Sequence, residues 1–331
     1  MCRGERRPEV ANSRGFGGSL VLVGAVDIGG TKIAVGAVNE SGKVLAKLQS
    51  PTDAASGFAQ ALQRIEAMLK SVSQTAGEDL AGIGIGCTGP IDPIEGTIGN
   101  VEFLPGWEGR NLVGELHQRF EVDVAMENDA DAAALAEARW GSGKGKSHFI
   151  YVTVSTGIGV GVILNGKLYR GVDGFHPDIG HQVIDASGPA CYCGEHGCWE
   201  VLASGPAMAE WMKSRVPAAG RSTRELSAEE ICRLAREGDA LAGQAVEREA
   251  RYLGHGLANL VKIFCPDMIA LAGGVMNSAD LFLPEIHRII ARTCSLVPYS
   301  KTGIEPAHLG ADVALAGAAE VWRHRFQSRG H

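Results

Sequence analysis

Two glycine-rich segments combine small residues with hydroxyl, amine and carboxylate side chains. Residues 27–32 read Asp-Ile-Gly-Gly-Thr-Lys, and residues 155–159 read Ser-Thr-Gly-Ile-Gly. A turn without side-chain bulk lets backbone N–H groups face a phosphate, and the carboxylate of Asp27 can hold a Mg²⁺ ion through water. Each turn alone also fits a plain hairpin. The presence of both turns in one chain favours a nucleotide site.

Two other glycine motifs resemble nucleotide-binding fingerprints, but the residues and predicted elements beside them do not fit such sites. Residues 84–89 spell Gly-x-Gly-x-x-Gly, yet Pro90 and Pro93 follow where a dinucleotide site needs a helix. Residues 141–147 approximate a P-loop, but Trp140 occupies the position of its first glycine and the segment follows a predicted helix. The sequence therefore predicts neither a nicotinamide site nor a Walker loop.

The two turns need strands and helices to position them. Apolar runs of strand length lie at residues 20–27, 33–38, 44–48, 83–87, 149–155, 160–164 and 268–271. A 3.6-residue apolar period predicts a helix over 57–73, and Asn128 or Asp129 suits the N-cap of a later helix that ends near Gly141. Alternating strands and helices predict an α/β fold, and two glycine-turn hairpins about 125 residues apart suggest duplicated halves.

Length and composition narrow the class of protein. The 331 residues favour two domains, and 38 Asp plus Glu against 31 Lys plus Arg give a formal charge of −7, which argues against nucleic-acid or anionic-membrane partners. Residues 1–20 lack the apolar core of a secretion signal, and no apolar stretch resembles a transmembrane helix. We therefore expect a cytoplasmic protein whose eight cysteines are free thiols or metal ligands.

The motifs occur together, and in this order, in the ROK (repressor, open reading frame, kinase) family of sugar kinases and sugar-responsive repressors. The chain resembles that family from about Val21 to its C-terminus. The resemblance is carried by DIGGTK at 27–32, ENDAD at 127–131, STGIG at 155–159, GH at 180–181, CYCGEHGCWE at 191–200 and LAGGV at 271–275.

The resemblance implies an α/β fold of the actin-like ATPase (ribonuclease H-like) class, with two α/β domains around a cleft. We expect a flexible tail at 1–19, an N-terminal domain at 20–131 and a larger C-terminal domain at 132–311 that contains the Cys-rich loop. A C-terminal helix at about 312–326 is expected to pack back on the first domain, with a hinge near 131–147. A homodimer is a further expectation from the family.

Sugar kinases of this family use the Asp of the ENDA segment as general base, and here that role falls on Asp129. A sugar hydroxyl is a poor nucleophile, so a carboxylate must accept its proton as the γ-phosphoryl group arrives, while the Asn128 amide fixes adjacent hydroxyls. A helix N-terminus would stabilise the ionised carboxylate and weaken it as a base. The competing interpretation is that both residues only cap the helix.

The resemblance also implies the ligand contacts. Sugar contacts carry over onto Gly89, Asn100, Asn128, Asp129, Asp178, His181 and Glu200. Contacts to ATP carry over onto Asp27, Gly29, Gly30, Thr31, Lys32, Thr156, Gly157, Gly273 and Gly274. Asp178 departs from the family, which commonly has Glu there, and its carboxylate reaches about 1.5 Å less far. Pro90 lacks the polar side chain of some amino-sugar kinases, which favours a plain hexose.

His181, Cys191, Cys193 and Cys198 match the structural zinc site of the family. Thiolate and imidazole ligands suit tetrahedral Zn²⁺, and four protein ligands leave no open position for catalysis, so we expect a structural metal. His196 is an alternative to His181 as the fourth ligand, and reduced thiols without metal are the other interpretation. A bound metal would orient His181 toward the sugar.

These assignments predict an ATP- and Mg²⁺-dependent hexose kinase, with glucose as the expected substrate and glucose 6-phosphate as the product. Fructose, mannose, N-acetylmannosamine and N-acetylglucosamine are the alternative substrates, because single hydroxyl groups are discriminated by sub-ångström placement. A sugar-responsive repressor is disfavoured, because about twenty residues before the DIGGTK motif cannot hold a helix-turn-helix domain. A catalytically inactive sugar-binding protein conflicts with the presence of Asp129 and both turns.

Overall fold

The computed structural model describes residues 21–215 and 226–327 and contains two five-stranded sheets. The tail predicted at 1–19 lies outside the described residues. No helix in the described part of the chain is both long and apolar enough to cross a bilayer.

The first sheet has the strand order β3-β2-β1-β4-β7. Its strands are β1 (Leu22–Ile28), β2 (Lys32–Val38), β3 (Val44–Pro51), β4 (Leu80–Cys87) and β7 (Asp123–Asn128). Strands β1, β2 and β3 form an antiparallel meander, whereas β1, β4 and β7 are parallel. The connecting elements are α1 (Phe58–Ala76), the hairpin β5 (Ile91–Asp92) and β6 (Thr97–Ile98), and α2 (Leu112–Phe120). The carboxyl ends of β1, β4 and β7 therefore meet at one edge.

The second sheet repeats this topology in the order β10-β9-β8-β11-β12. Its strands are β8 (Phe149–Val154), β9 (Ile158–Leu164), β10 (Lys167–Leu168), β11 (Met268–Ala272) and β12 (Gly303–Pro306). The helices of this half are α4 (Trp199–Ala203), α5 (Gly205–Arg215), α6 (Ala228–Arg236), α7 (Ala240–Phe264) and α8 (Ala279–Thr293). The antiparallel hairpins are followed by parallel strands in both sheets, so the duplication suggested by the two hairpins is present in the fold.

Helices α3 (Asp129–Trp140) and α9 (Val313–Phe326) pack very closely against the sheets, because glycines of the contacting strands have no side chains. A Cβ on Gly84 would lie 1.8 Å from a carbonyl oxygen of α9, and one on Gly161 would lie 2.5 Å from a carbonyl oxygen of α3. The glycine run that resembled a dinucleotide fingerprint thus gives α9 its close contact with the first sheet. The domain boundaries and the hinge at 131–147 remain predictions.

Candidate active site

The carboxyl edge of the first sheet brings Asp27 and Asp129 together. Asp27 and Glu127 are level with Gly86 on the strand between them, so their Cα atoms are two strand spacings, about 10 Å, apart. A Cβ on Gly86 would lie 3.7 Å from the Cα of Asp129 and 3.9 Å from Oδ1 of Asp27. Gly86 therefore lies between the backbone of Asp129 and the carboxylate of Asp27.

Burial changes the acidity of both carboxyl groups. Desolvation and the charge of Asp129 raise the pKa of Asp27 to about 7, against the lowering effect of Lys32. Desolvation also raises the pKa of Asp129, although the Ala130 N–H donates to its Oδ1 at 2.8 Å and the charge of His176 lowers it. The N–H groups at the start of the helix lower the pKa of Asp129, as expected, but desolvation outweighs them and the net pKa is raised. A raised pKa makes a carboxylate a stronger base.

Asn128 caps α3 through its amide oxygen. Its Oδ1 accepts hydrogen bonds from the N–H groups of Ala130 at 2.9 Å and Asp131 at 3.4 Å. Its Nδ2 lies 3.2 Å from the position that a Cβ on Gly89 would take. The capping interpretation is therefore confirmed for the oxygen, and it leaves the nitrogen at the Gly89 side of the edge.

Asn100 lies on a neighbouring segment of the same edge. The preceding residue, Gly99, donates its N–H to the carbonyl of Pro90 at 2.9 Å, which brings the segment beside Gly89. Asn100 itself is exposed. The predicted sugar contacts of the first half thus lie on adjacent loops.

The first glycine turn connects β1 to β2 at this edge. The N–H of Gly29 donates to the carbonyl of Lys32 at 3.0 Å, which closes a tight turn. Gly30, Thr31 and Lys32 are exposed, so their backbone and side-chain donors are open to a ligand. The predicted phosphate contacts of this turn are therefore accessible beside Asp27.

The second glycine turn and the Gly273-Gly274 pair share the carboxyl edge of the second sheet. Strands β8 and β11 are parallel neighbours, so the residues that follow them meet. Gly273 has a φ of 91°, and a Cβ there would lie 2.2 Å from the carbonyl oxygen of Val154. Only glycine fits this position, because its backbone is left-handed and closely packed. Ser155 follows Val154 and leads into Thr156 and Gly157.

Helix α3 connects the two edges. It begins at the end of β7 with Asp129, and the side chain of the next residue, Ala130, lies 3.1 Å from the position of a Cβ on Gly159. Gly159 belongs to the second glycine turn motif and is the second residue of β9. The helix that begins with the candidate base therefore contacts the second glycine motif through Ala130.

The loop after β10 brings Glu200 and His181 to the second turn. The carboxylate of Glu200 accepts the N–H of Ile158 at 2.9 Å, and the absence of a side chain at Gly157 allows this approach. A Cβ on Gly180 would lie 2.2 Å from the carbonyl oxygen of Ile158, which places His181 beside the same strand end. The exposed carboxylate of Asp178 lies 3.7 Å from Nε2 of His181.

Four potential metal ligands converge next to this loop. One ligand atom from each of His181, Cys191, Cys193 and Cys198 lies within 4.8 Å of the others. The Cys193 and Cys198 sulfurs are 3.5 Å apart, and the Cys191 sulfur is 3.4 Å from Nδ1 of His181. Ligands of a tetrahedral Zn²⁺ at about 2.0–2.3 Å are about 3.5–3.8 Å from one another, so the cluster fits such an ion. His196 lies beside the Gly188 carbonyl instead, 3.3 Å from it.

Two buried charge pairs near Asp129 were not assigned a role from the sequence. Nδ1 of His176 lies 2.9 Å from the buried carboxylate of Asp131, and Glu127 pairs with Arg170 of the loop after β10. Both acids belong to the ENDAD motif. Their basic partners, His176 and Arg170, do not lie in a recognisable motif. The partners are identified by the folded structure, through the register of β7 and the path of the loop after β10.

Comparison with known proteins relates the chain to one family. A family model described as "ROK family" matches residues 23–325. A glucokinase of Thermotoga maritima is 31% identical over 315 residues, which cover 93% of this chain and 98% of that protein. A xylose repressor of Bacillus subtilis is 33% identical over 248 residues, which cover 73% of this chain and 61% of the repressor.

Solved structures give the same relationship. A ROK hexokinase from Thermus thermophilus has a TM-score of 0.81 and 34% identity, covering 93% of this chain and 99% of its own. A ROK family glucokinase from Streptomyces griseus, solved with glucose and AMPPNP, has a TM-score of 0.79 and 33% identity, covering 91% and 98%. The actin-like ATPase (ribonuclease H-like) fold is thereby confirmed, and the chain belongs to the ROK family, where it resembles the sugar kinases.

Proposed function

We propose that this protein is an ATP-dependent hexose kinase that phosphorylates glucose, with Asp129 as the general base. The observation that carries the proposal is the position of Asp129 at the start of α3, near Asp27 of the first sheet and next to Ala130, which contacts Gly159 of the second sheet. The similarity to a glucokinase solved with glucose and AMPPNP supports both ligands.

Each group of residues in the site has a separate role in the proposed reaction. Asp129 takes the proton of the attacking hydroxyl, and its raised pKa strengthens it for that step. The amide nitrogen of Asn128 orients a neighbouring hydroxyl. Backbone N–H groups of the two turns and the side chains of Thr31 and Lys32 hold the phosphates.

Asp27 is the candidate residue for the Mg²⁺ shell. A half-buried carboxylate whose pKa is raised to about 7 beside a second carboxylate is a site where a cation offsets repulsion. When bound, Mg²⁺ would neutralise charge on the transferred phosphoryl group. Gly273 and Gly274 at the neighbouring edge would receive the adenosine.

The Cys-rich loop is proposed to hold a structural Zn²⁺ through His181, Cys191, Cys193 and Cys198. Three thiols and one imidazole at tetrahedral spacing fit this ion, and they fill all four positions. Because His181 also belongs to the proposed sugar site, the metal would fix the orientation of a sugar contact.

The similarity to a xylose repressor supports a second candidate, a protein that binds a sugar without phosphorylating it. A coupled kinase assay over glucose, fructose, mannose and N-acetylated hexosamines, combined with calorimetric sugar binding, separates the two candidates. ATP-dependent turnover of a hexose is expected. Binding of a sugar without turnover would support the second candidate.

Asp129→Asn tests the role of the base directly. The variant should keep its affinity for glucose but lose at least about a thousandfold in kcat, because the amide cannot accept the proton. Asp123→Asn, at the exposed first residue of β7, is the matched control for the loss of one carboxylate. A kcat for Asp129→Asn close to that of the wild type would remove Asp129 from the base role.

A further inference from the structure

The side chain of Tyr192 lies against His181, one of the proposed sugar contacts. Its hydroxyl oxygen lies 2.9 Å from Nε2 of His181, and the two rings meet edge to face with centroids 4.9 Å apart. The exposed carboxylate of Asp178, another proposed sugar contact, lies 3.7 Å from the same Nε2. A phenolic hydroxyl thus stands where an alcohol of the sugar would be held.

Of the two ring nitrogens of His181, only Nε2 is available to a sugar hydroxyl. Nδ1 faces the sulfur of Cys191 at 3.4 Å, on the side of the proposed metal. A metal on Nδ1 leaves the proton on Nε2, which then donates to the oxygen of Tyr192. A sugar hydroxyl that accepts from Nε2 must therefore replace the Tyr192 hydroxyl.

The backbone on both sides of Tyr192 is hydrogen-bonded, whereas its side chain is exposed and contacts His181. The N–H of Cys191 donates to the carbonyl of Glu195 at 2.7 Å, and the N–H of Gly194 donates to the carbonyl of Cys191 at 3.0 Å. The Tyr192 side chain is 63% exposed, so a change of rotamer moves the ring into solvent without opening the core.

We propose that Tyr192 competes with the substrate: its hydroxyl fills the place of one sugar hydroxyl in the free enzyme and leaves when the sugar binds. The proposal rests on the proposed function, in which His181 and Glu200 hold the hexose. It makes Tyr192 a residue that sets substrate affinity, because every sugar must provide a hydroxyl that replaces the phenol at this corner.

The competition predicts that removal of the phenolic hydroxyl improves sugar binding. In the wild type, binding exchanges the His181–Tyr192 hydrogen bond for a bond to the sugar, whereas in Tyr192→Phe the sugar fills an unpaired Nε2–H. A hydrogen bond of ordinary net strength corresponds to about three- to tenfold in affinity. Tyr192→Phe should therefore lower both Kd and KM for glucose by about that factor, with the effect in KM rather than kcat.

The experiment compares wild type, Tyr192→Phe, Tyr192→Ala and the control Tyr299→Phe, which removes a hydroxyl beside the distant strand β12. Calorimetry gives Kd for glucose, and the kinase assay gives KM and kcat. A lower Kd for both Tyr192 variants, and an unchanged Kd for Tyr299→Phe, supports the proposal. A higher Kd for Tyr192→Phe would make Tyr192 a direct sugar contact, and an unchanged Kd would leave its hydroxyl without a role; either result overturns it.

A panel of monodeoxy glucoses makes the test specific. The gain in affinity of Tyr192→Phe should disappear for one analogue, the one that lacks the hydroxyl replacing the phenol, and persist for the others. A gain that persists for every analogue contradicts the competition. If the wild type neither binds nor phosphorylates any hexose, the proposed function itself fails. If the wild type is active but Tyr192→Phe binds glucose no more tightly, only the role of Tyr192 fails.

Discussion

Replacing Asp27 with Asn should stabilise the free protein, and the gain should grow as the pH rises from 5 to 8. Burial and the charge of Asp129 raise the pKa of Asp27 from 3.8 to about 7 in the folded protein. Because the folded state then binds the proton more tightly than the unfolded state, the stabilisation is complete below pH about 4 and is lost as the pH rises through about 7. Asn does not titrate and escapes this loss.

The size of the effect follows from the same shift. A change from 3.8 to about 7 is about 3 pKa units, or about 4 kcal/mol over the complete titration. Part of this loss has already occurred at pH 5, so the interval from pH 5 to pH 8 contains about 2 to 3 kcal/mol. Packing differences between Asp and Asn are the same at every pH, so they cancel when the two pH values are compared.

The measurement is the free energy of unfolding in urea at pH 5, 6, 7 and 8, without nucleotide or added Mg²⁺. Asp79→Asn is the control for the loss of one negative charge, because Asp79 is exposed and precedes β4. The advantage of Asp27→Asn over the wild type should increase by about 2 to 3 kcal/mol across the range. An advantage that does not change with pH would show that Asp27 is not desolvated, and would refute the electrostatic account of the site.

Two further predictions concern the metal loop and the charge pair beneath the base. Cys193→Ser should lower the zinc content from about one ion per chain to near zero and reduce Tm by several degrees. The control Cys265→Ser, at an exposed cysteine, should change neither the zinc content nor Tm. Elemental analysis that finds no zinc in the freshly purified wild type would contradict the site. His176→Gln removes a positive charge that lowers the pKa of Asp129, so the acidic limb of the kcat/KM profile should move to higher pH. An unchanged profile would show that the pair has only a structural role.

Much of the fold could be predicted because its signals are local. The apolar runs that became β1 and β2 flank the turn that contains Gly29, and the N-cap of α3 depends on Asn128 and the two residues after it. Hairpins and caps involve residues close in sequence, so the side-chain pattern reports them. The identity of the family could also be predicted, since the order of its motifs is a property of the chain.

The parts that could not be predicted depend on residues distant in sequence. Gly84 was recognised as part of a glycine run, but only the arrival of α9 explains why a side chain is excluded there. The helix N-terminus alone predicts a lowered pKa for Asp129, yet desolvation in the folded chain outweighs it and raises the pKa.

The amino-acid sequence by itself determined the α/β architecture, the two glycine turns and the candidate base, because strand periodicity, turn residues and helix caps act over a few positions. Only the tertiary structure decided how these groups act together: the proximity of Asp27 to Asp129, and the contact between His181 and Tyr192. Burial and the distances between distant segments are sums over the whole folded chain, and no local pattern contains them.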